Sequence, residues 1–469
     1  MTQKGKLVRA GEAFSRIRPL YLILLAALLH LILTVIIYTV GSRALLPGMF
    51  DPYGTGIFAT DTYVYRLEAI ALSRLLTSQG VGSWLSVSAP FHVKLYSLCY
   101  AVFGPVFGLN VLSVEPLNLL YYLAILTLVF LLGREVFDRR TGLLAAVLVA
   151  LWPSLLLHTT QLLRDPLFIL AMLALVLVYA KWLKKARAWP QGLLSGAVGG
   201  IVVVILWANR SNVWDVVVSV VLLGGGLVIL SQLRERRVSW GNILGLCVLL
   251  VVTLSVPKLL SEPPSHVDPS LVRALAQDQD LSVIEGLEEV VVASAQADES
   301  AATPPLWDRL WARIKDGRAR FKTEYANAGS NIDTDVQFNS MGDVIRYLPR
   351  AVVIGFFAPF PRMWFEAGEM VGVSGRLLSG METLVMYVVE VLALFGLWHS
   401  RRRLSAWLLA LVASLGLVAF GLVVLNVATL YRMRYTFWML LIIISAQGAV
   451  QLCGMRSEGR REGRLEEVD

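Results

Sequence analysis

The chain has 469 residues, 56% of them hydrophobic and only 16% charged, with a mean hydropathy of +0.65. That balance excludes a soluble globule: crossing a hydrocarbon core of ~30 Å takes about 20 mostly apolar residues, and windows of that kind recur along almost the whole chain. The formal net charge of +8 is gathered in clusters between those windows, and the three cysteines, Cys99, Cys247 and Cys453, show neither disulfide nor metal-ligand spacing.

The N-terminus is basic (Lys4, Lys6, Arg9, Arg16, Arg18) and leads into an apolar run from Pro19 to Val40. The run is too long for a signal h-region and no A-x-A cleavage site follows, so it reads as a retained anchor. Further basic clusters stand at Arg134 to Arg140, Lys181 to Arg187, Arg234 to Arg237, Arg401 to Arg403, and Arg456 to Arg464. Lys and Arg near helix ends are retained on the cytoplasmic side, so each cluster is expected inside. The spans between them number about ten: roughly 19–41, 113–133, 141–157, 165–182, 190–207, 213–232, 240–259, 380–398, 404–425 and 435–453. This predicts an all-α, multi-pass protein of a bacterial-type inner membrane with both termini cytoplasmic.

Two apolar stretches, Phe91 to Gly108 and Val344 to Phe360, fall outside that count, because threading either would move every later basic cluster outside. They read as interfacial or re-entrant helices, and Pro349, Pro359 and Pro361 suit such a segment. The chain then divides into an N-terminal transmembrane module, 1–259, with a first outer loop at 42–112; an extracytoplasmic loop, 260–379; and C-terminal helices with a basic tail, 380–469.

In the first outer loop, ATDTYVYRLEAIALSRLL sets Asp61 just before an amphipathic pattern of Leu67, Ile70, Leu72, Leu75 and Leu76, where either a helix cap or a functional carboxylate would stand. His158, at the outer end of the third span, is a lone histidine that reads as structural. Arg164 and Asp165 open the fourth span, with Pro166 next, so Asp165 also has a capping reading. Asn209, Arg210, Asn212 and Asp215 lie between the fifth and sixth, and Gly224 to Gly226 inside the sixth read as close helix packing.

The loop 260–379 begins acidic, passes through ASAQADESAATPP, and continues as WDRLWARIKDGRARFKTEY. There Trp307, Leu310, Trp311, Ile314 and Phe321 recur at helical spacing with Arg and Lys on the remaining faces, a helix that lies on a membrane or caps a cavity, read as a plain surface helix or as one that handles an anionic lipid directly. Glu390 falls mid-span, where a charge is costly and is either protonated or paired. Arg432 and Arg434 precede the last span, at a helix N-terminus that favours an anion.

The topology carries Asp61, Arg164, Asp165, Arg210, Arg432 and Arg434 to one outer level. Arginines in short outer loops oppose the usual charge bias, and a shared polar cavity accounts for the set better than independent snorkelling. Guanidinium groups fork onto phosphate oxygens, and a phosphate at membrane depth is a lipid phosphate. No Gly-rich nucleotide loop and no metal-ligand spacing appears. Transfer of a sugar from a polyprenyl phosphate fits this set: the leaving group needs cations, and one carboxylate can act as base on the acceptor.

Four pieces of the chain resemble the GT-C superfamily of integral-membrane glycosyltransferases, in particular bacterial relatives of protein mannosyltransferases and of the lipid A aminoarabinose transferase. They are ATDTYVYRLEAIALSRLL; PFHVKLYSLCYAVFG; LLGREVFDRRTGLLAAVLVALWPSLLLHTTQLLRDPLFILAMLALVLVY; and YRMRYTFWMLLIIISAQG. A fifth, GSNIDTDVQFNSMGDVIRYLPRAVVIGFFAPFPRMW, is similar to a segment of polysaccharide-locus members. The resemblance implies a transferase using a polyprenyl-phosphate sugar and an extracytoplasmic lipid, glycan or protein acceptor, with no nucleic acid. By similarity the first-loop aspartate of the family falls on Asp61. Where many members carry an Asp-Glu pair this chain has Asp61-Thr62, which leaves a single base.

The expected site therefore has Asp61 as catalytic base, Arg432, Arg434 and Arg210 on the lipid phosphate, and Arg164, Asp165, Tyr63 and Tyr435 shaping the cavity. No cofactor signature is seen, and dependence on a divalent metal stays open. A polymerase or ligase of lipid-linked glycans would share these features. A flippase or transporter would predict internal repeats and paired Gly/Pro interruptions, and neither is evident.

Overall fold

The computed structural model describes residues 19–59, 61–275, 306–324, 329–365 and 372–453. Among these there is no strand, only the isolated bridges Phe50–Gly56 and Asn331–Asn426. The helices in chain order are α1 (Pro19–Ser42), α2 (Asp61–Ser86), α3 (Phe91–Phe107), α4 (Val111–Val136), α5 (Arg139–Ala150), α6 (Pro153–Thr159), α7 (Asp165–Lys184), α8 (Trp189–Arg210) and α9 (Trp214–Glu235). They continue as α10 (Trp240–Leu259), α11 (Pro269–Leu275), α12 (Leu306–Glu324), α13 (Met341–Phe357), α14 (Gly372–His399), α15 (Leu404–Val423), α16 (Val427–Met433) and α17 (Tyr435–Leu452).

Among the described residues nine helical stretches are long and apolar enough to cross a membrane, and the bent pair α5/α6 makes a tenth. One of the nine, Trp189–Glu235, is a hairpin. Gly192 at the start of α8 packs on Gly241 at the start of α10, and Gly225 in the second half of α9 packs on Leu246 beside it, so α9 runs back along α8. The α8/α10 crossing is made by Gly192 and Gly196 facing Gly241 and Gly245. A Cβ on Gly192 would overlap the Gly241 carbonyl, which is the close backbone approach that small-xxx-small spacing permits in membranes. Gly224 lies against the Tyr179 ring, as expected for packing glycines, whereas Gly226 of the same run faces open space.

Another of the nine, Met341–Trp364, covers the stretch expected from the sequence to be interfacial or re-entrant, and by length and composition it is a candidate span. Ala351 packs on Gly421 and Gly355 on Leu417, so α13 descends antiparallel to α15; Trp364 then packs on Gly380, near the start of α14. With the hairpin counted as two spans and the bent pair as one, the described residues hold eleven candidate crossings with α13 and ten without it, and the ten expected from the sequence left α13 out.

The spans bring a common set of ends to one face. Gln161, before α7, accepts from Gly56 N at 3.0 Å, and Ser211, after α8, donates to Glu262, after α10, at 3.0 Å. Below that face α1 is fixed to α4 and α6 by a buried polar knot: His30 meets Glu115 at 2.8 Å and Thr159 at 3.1 Å, while Thr34 donates to Glu115 at 2.8 Å.

The segment α2–α3 lies at this face as a helical pair with its own small core of Tyr65, Ile70, Leu72, Val93, Tyr96 and Tyr100. On α12 the apolar stripe is seated as expected at Trp311, Ile314 and Phe321, whereas Trp307 and Leu310 lie where no side chain is described. Arg318 differs from the expectation of a polar outward residue. It is buried and donates to the carbonyls of Leu422 at 2.9 Å and Asp333 at 2.8 Å, under the rings of Phe338 and Tyr347. Its stem shares the helix face of the apolar stripe, and unpaired carbonyls at the end of α15 supply acceptors for its head.

Candidate functional site

Four chain segments meet at the common face. Asp61 stands in the first turn of α2, Asp165 in the first turn of α7, Arg210 in the last turn of α8, and Arg432 on the short α16. Arg432 joins the two carboxylates: its Nη2 donates to Asp61 Oδ2, and its Nε lies 3.3 Å from Asp165 Oδ2. Arg210 Nη2 donates to the other oxygen of Asp165 at 2.9 Å. Arg164 is held by Asn209, whose Nδ2 donates to the Arg164 carbonyl at 2.9 Å, and its charge acts on Asp61. Of the sequence-derived readings of Asp61 and Asp165, both carboxylates are thus engaged by arginines of other helices.

The members differ in access. The side chains of Arg210, Asp165 and Arg432 are 1%, 5% and 9% exposed, whereas that of Asp61 is 26% exposed. Asp61 is the carboxylate that an incoming molecule can reach, beside the half-buried Arg164. Three guanidinium groups face two carboxylates, so the cluster carries an excess positive charge, and Arg210 Nε and Nη1 and Arg164 Nε have no hydrogen-bond partner among the described residues. A buried charge of this kind is stabilised by an anion that completes its hydrogen bonds.

Burial raises the Asp61 carboxyl, but the Arg432 and Arg164 guanidiniums outweigh it, and the group is held below its ordinary range. Asp61 is therefore ionised at neutral pH, and while Arg432 is on it, it is a weak base.

Arg434 points elsewhere. Residues two apart on a helix differ by about 200° around its axis. Its guanidinium lies 3.8 Å from the Trp438 ring and donates to the Gly355 carbonyl of α13 at 3.2 Å, and the residue is fully buried. Glu390, the mid-span carboxylate, is on that side; it is 9% exposed and neither oxygen has a hydrogen-bond partner among the described residues. Tyr63 is half-buried at the rim, its hydroxyl 3.5 Å from the Thr55 carbonyl, and Tyr435 faces His158 at 3.4 Å.

Beyond the polar knot around His30, Glu382 and Glu68 also escaped the sequence reading. Glu382 of α14 is buried and bonded to Ser154 and Tyr431; a carboxylate within an apolar span was its signal. Glu68 accepts from His266 at 3.0 Å and from Val267 N at 3.1 Å, tying the start of the second loop to α2. Among the described residues no group of three or more His, Cys, Asp or Glu could hold a metal ion.

No protein-family model and no curated protein matches the chain. Among solved structures it is similar to the archaeal oligosaccharyltransferase AglB from Archaeoglobus fulgidus in complex with an inhibitory peptide and a dolichol-phosphate. That match has 14% identity and a TM-score of 0.45, over 94% of this chain and 52% of the other. It is also similar to the apo form of the Archaeoglobus fulgidus oligosaccharyltransferase, with 13% identity and a TM-score of 0.43 over 89% of this chain and 50% of the other. The chain spans about half the length of these proteins.

Proposed function

We propose that the protein is a GT-C type membrane glycosyltransferase that moves a sugar from a polyprenyl-phosphate donor to an extracytoplasmic lipid, glycan or protein acceptor. The observation that carries this reading is the Arg432 bridge between Asp61 and Asp165, flanked by Arg210 and Arg164. It sets one accessible carboxylate beside a buried excess of cations at a membrane face, the combination that a phosphate leaving group and a nucleophilic hydroxyl or amine require.

In this reading the phosphate of the donor takes Arg432 and Arg210 as forked partners, and Arg434, turned onto Trp438 and the Gly355 carbonyl, is not one of them. Drawing Arg432 onto the phosphate releases Asp61 and raises its basicity. Asp61 then accepts the proton of the acceptor as the new bond to the anomeric carbon forms. The bond from that carbon to the phosphate oxygen breaks, and the polyprenyl phosphate leaves with the electron pair, held by the arginines. The anomeric configuration inverts. Arg164, Asp165, Tyr63 and Tyr435 shape the cavity, and the loop 260–379 meets the acceptor. The site faces outward and both termini face the cytoplasm.

The test is an in vitro transfer assay with purified protein in lipid nanodiscs and a panel of polyprenyl-phosphate sugars. Transfer of labelled sugar from at least one of them is expected; none from any, with a mixed extract of envelope lipids, glycans and proteins as acceptor, overturns the reading.

A further inference from the structure

The third membrane crossing is broken: α5 ends at Ala150, α6 starts at Pro153, and the two are bent by 67°. The first N–H groups of a helix have no partner within it. That of Ser154 is taken from across the bundle, by Glu382 Oε1 of α14 at 2.7 Å, and the Ser154 hydroxyl donates to Oε2 at 2.6 Å. The Tyr431 hydroxyl donates to the same Oε2. Glu382 is 5% exposed, and a carboxylate so buried is tolerated only with its lone pairs filled. Three donors from two other segments fill them.

Tyr431 immediately precedes Arg432 on the seven-residue α16, too short to hold its own orientation. Its ring is clamped edge-on against Tyr435 at 5.8 Å and Trp438 at 5.5 Å, so the hydroxyl bond to Glu382 fixes how α16 is turned. On its other side the network continues through α6. The Ser154 carbonyl meets His158 Nδ1 at 2.5 Å, and the His158 ring makes an edge contact at 5.6 Å with Phe58, three residues before Asp61. One buried carboxylate thus connects the segment that carries Arg432 with the segment that leads into Asp61.

We propose that Glu382 is a positioning residue of the site, setting the Arg432 guanidinium against Asp61 through Tyr431. Its importance for transfer rests on the functional reading above, but the geometric claim does not need it.

An Asp61→Cys variant, with Cys99, Cys247 and Cys453 changed to alanine, reports the field at position 61 without any transfer reaction. A guanidinium held beside a thiol lowers its pKa and speeds its alkylation by iodoacetamide at fixed neutral pH. Adding Arg432→Ala sets the full effect. Tyr431→Phe, which removes one oxygen, is expected to slow alkylation about three- to tenfold, and Glu382→Leu at least as much; Glu382→Gln, which keeps polar partners for Ser154 and Tyr431, is expected to stay within about twofold of the parent. Unchanged rates in Tyr431→Phe, with Arg432→Ala slowed, overturn the proposal, and Tyr431→Phe decides the matter even where Glu382→Leu does not fold. Failure of the parent protein to transfer any sugar overturns the functional reading alone.

Discussion

Arg432 and Asp61, 371 positions apart in the sequence, meet as an ion pair at one face of the bundle, and the same guanidinium reaches Asp165. The pair joins the first loop to the entry of the last span, so the site exists only once the whole transmembrane core has assembled.

If the second nitrogen of that fork is what holds a phosphate, charge alone will not replace it. Arg432→Lys keeps the cation and loses the planar fork. The expected outcome is a rise of at least about tenfold in the KM for the polyprenyl-phosphate donor, with a smaller change in the KM for acceptor, corresponding to about 1.4 kcal/mol of lost binding. Steady-state kinetics with each substrate varied in turn checks it.

Asp165 and Arg210 are the most buried pair of the site. Asp165→Asn leaves Arg210 without its counter-charge and is expected to destabilise the protein by about 3–5 kcal/mol, since breaking a buried pair costs more than the pair contributes. Asp165→Leu combined with Arg210→Met is expected to recover most of that loss while abolishing transfer. Thermal unfolding in detergent, read beside activity, separates the two effects.

The pH dependence follows from the sign of the Asp61 shift. Its carboxyl is lowered in the folded protein, so the stabilising contribution of its ion pair is fully present above the ordinary value of 3.8 and is lost as pH falls through the lower folded value. The acid limb of kcat/KM, which reports the free enzyme, is therefore expected below about pH 4. Once the donor phosphate has drawn Arg432 away, the carboxyl rises, so the acid limb of kcat is expected at higher pH than that of kcat/KM. Coincident limbs would show that Arg432 does not move.

Arg318 fastens α12 to the end of α15 and to the 329–338 segment. Arg318→Met removes those bonds and leaves the buried Leu422 carbonyl unpaired, at about 1–3 kcal/mol. Faster cleavage within 306–324 by limited trypsin digestion is expected, with the transmembrane core intact.

The spans were legible because hydropathy and basic clusters are direct consequences of the bilayer, and the same topology brought Asp61, Arg164, Asp165, Arg210 and Arg432 to one face. What the sequence could not show was direction around a helix axis. Arg432 and Arg434 look equivalent in YRMRY, yet Arg432, on the short α16, meets Asp61, whereas Arg434, at the junction of α16 and α17, meets Trp438 and Gly355. Arg318 looked like a surface cation because charge pattern alone does not reveal carbonyls awaiting a donor. Glu382 lay in an apolar run whose bend partner, Ser154, is 228 positions away, and no local pattern connects them.

Whether Asp61 is the base of a sugar transfer is decided by the single-turnover transfer rate of Asp61→Asn at saturating polyprenyl-phosphate sugar. A loss of about 10²–10⁴-fold is expected, with the donor still bound. Transfer at the wild-type rate would contradict it.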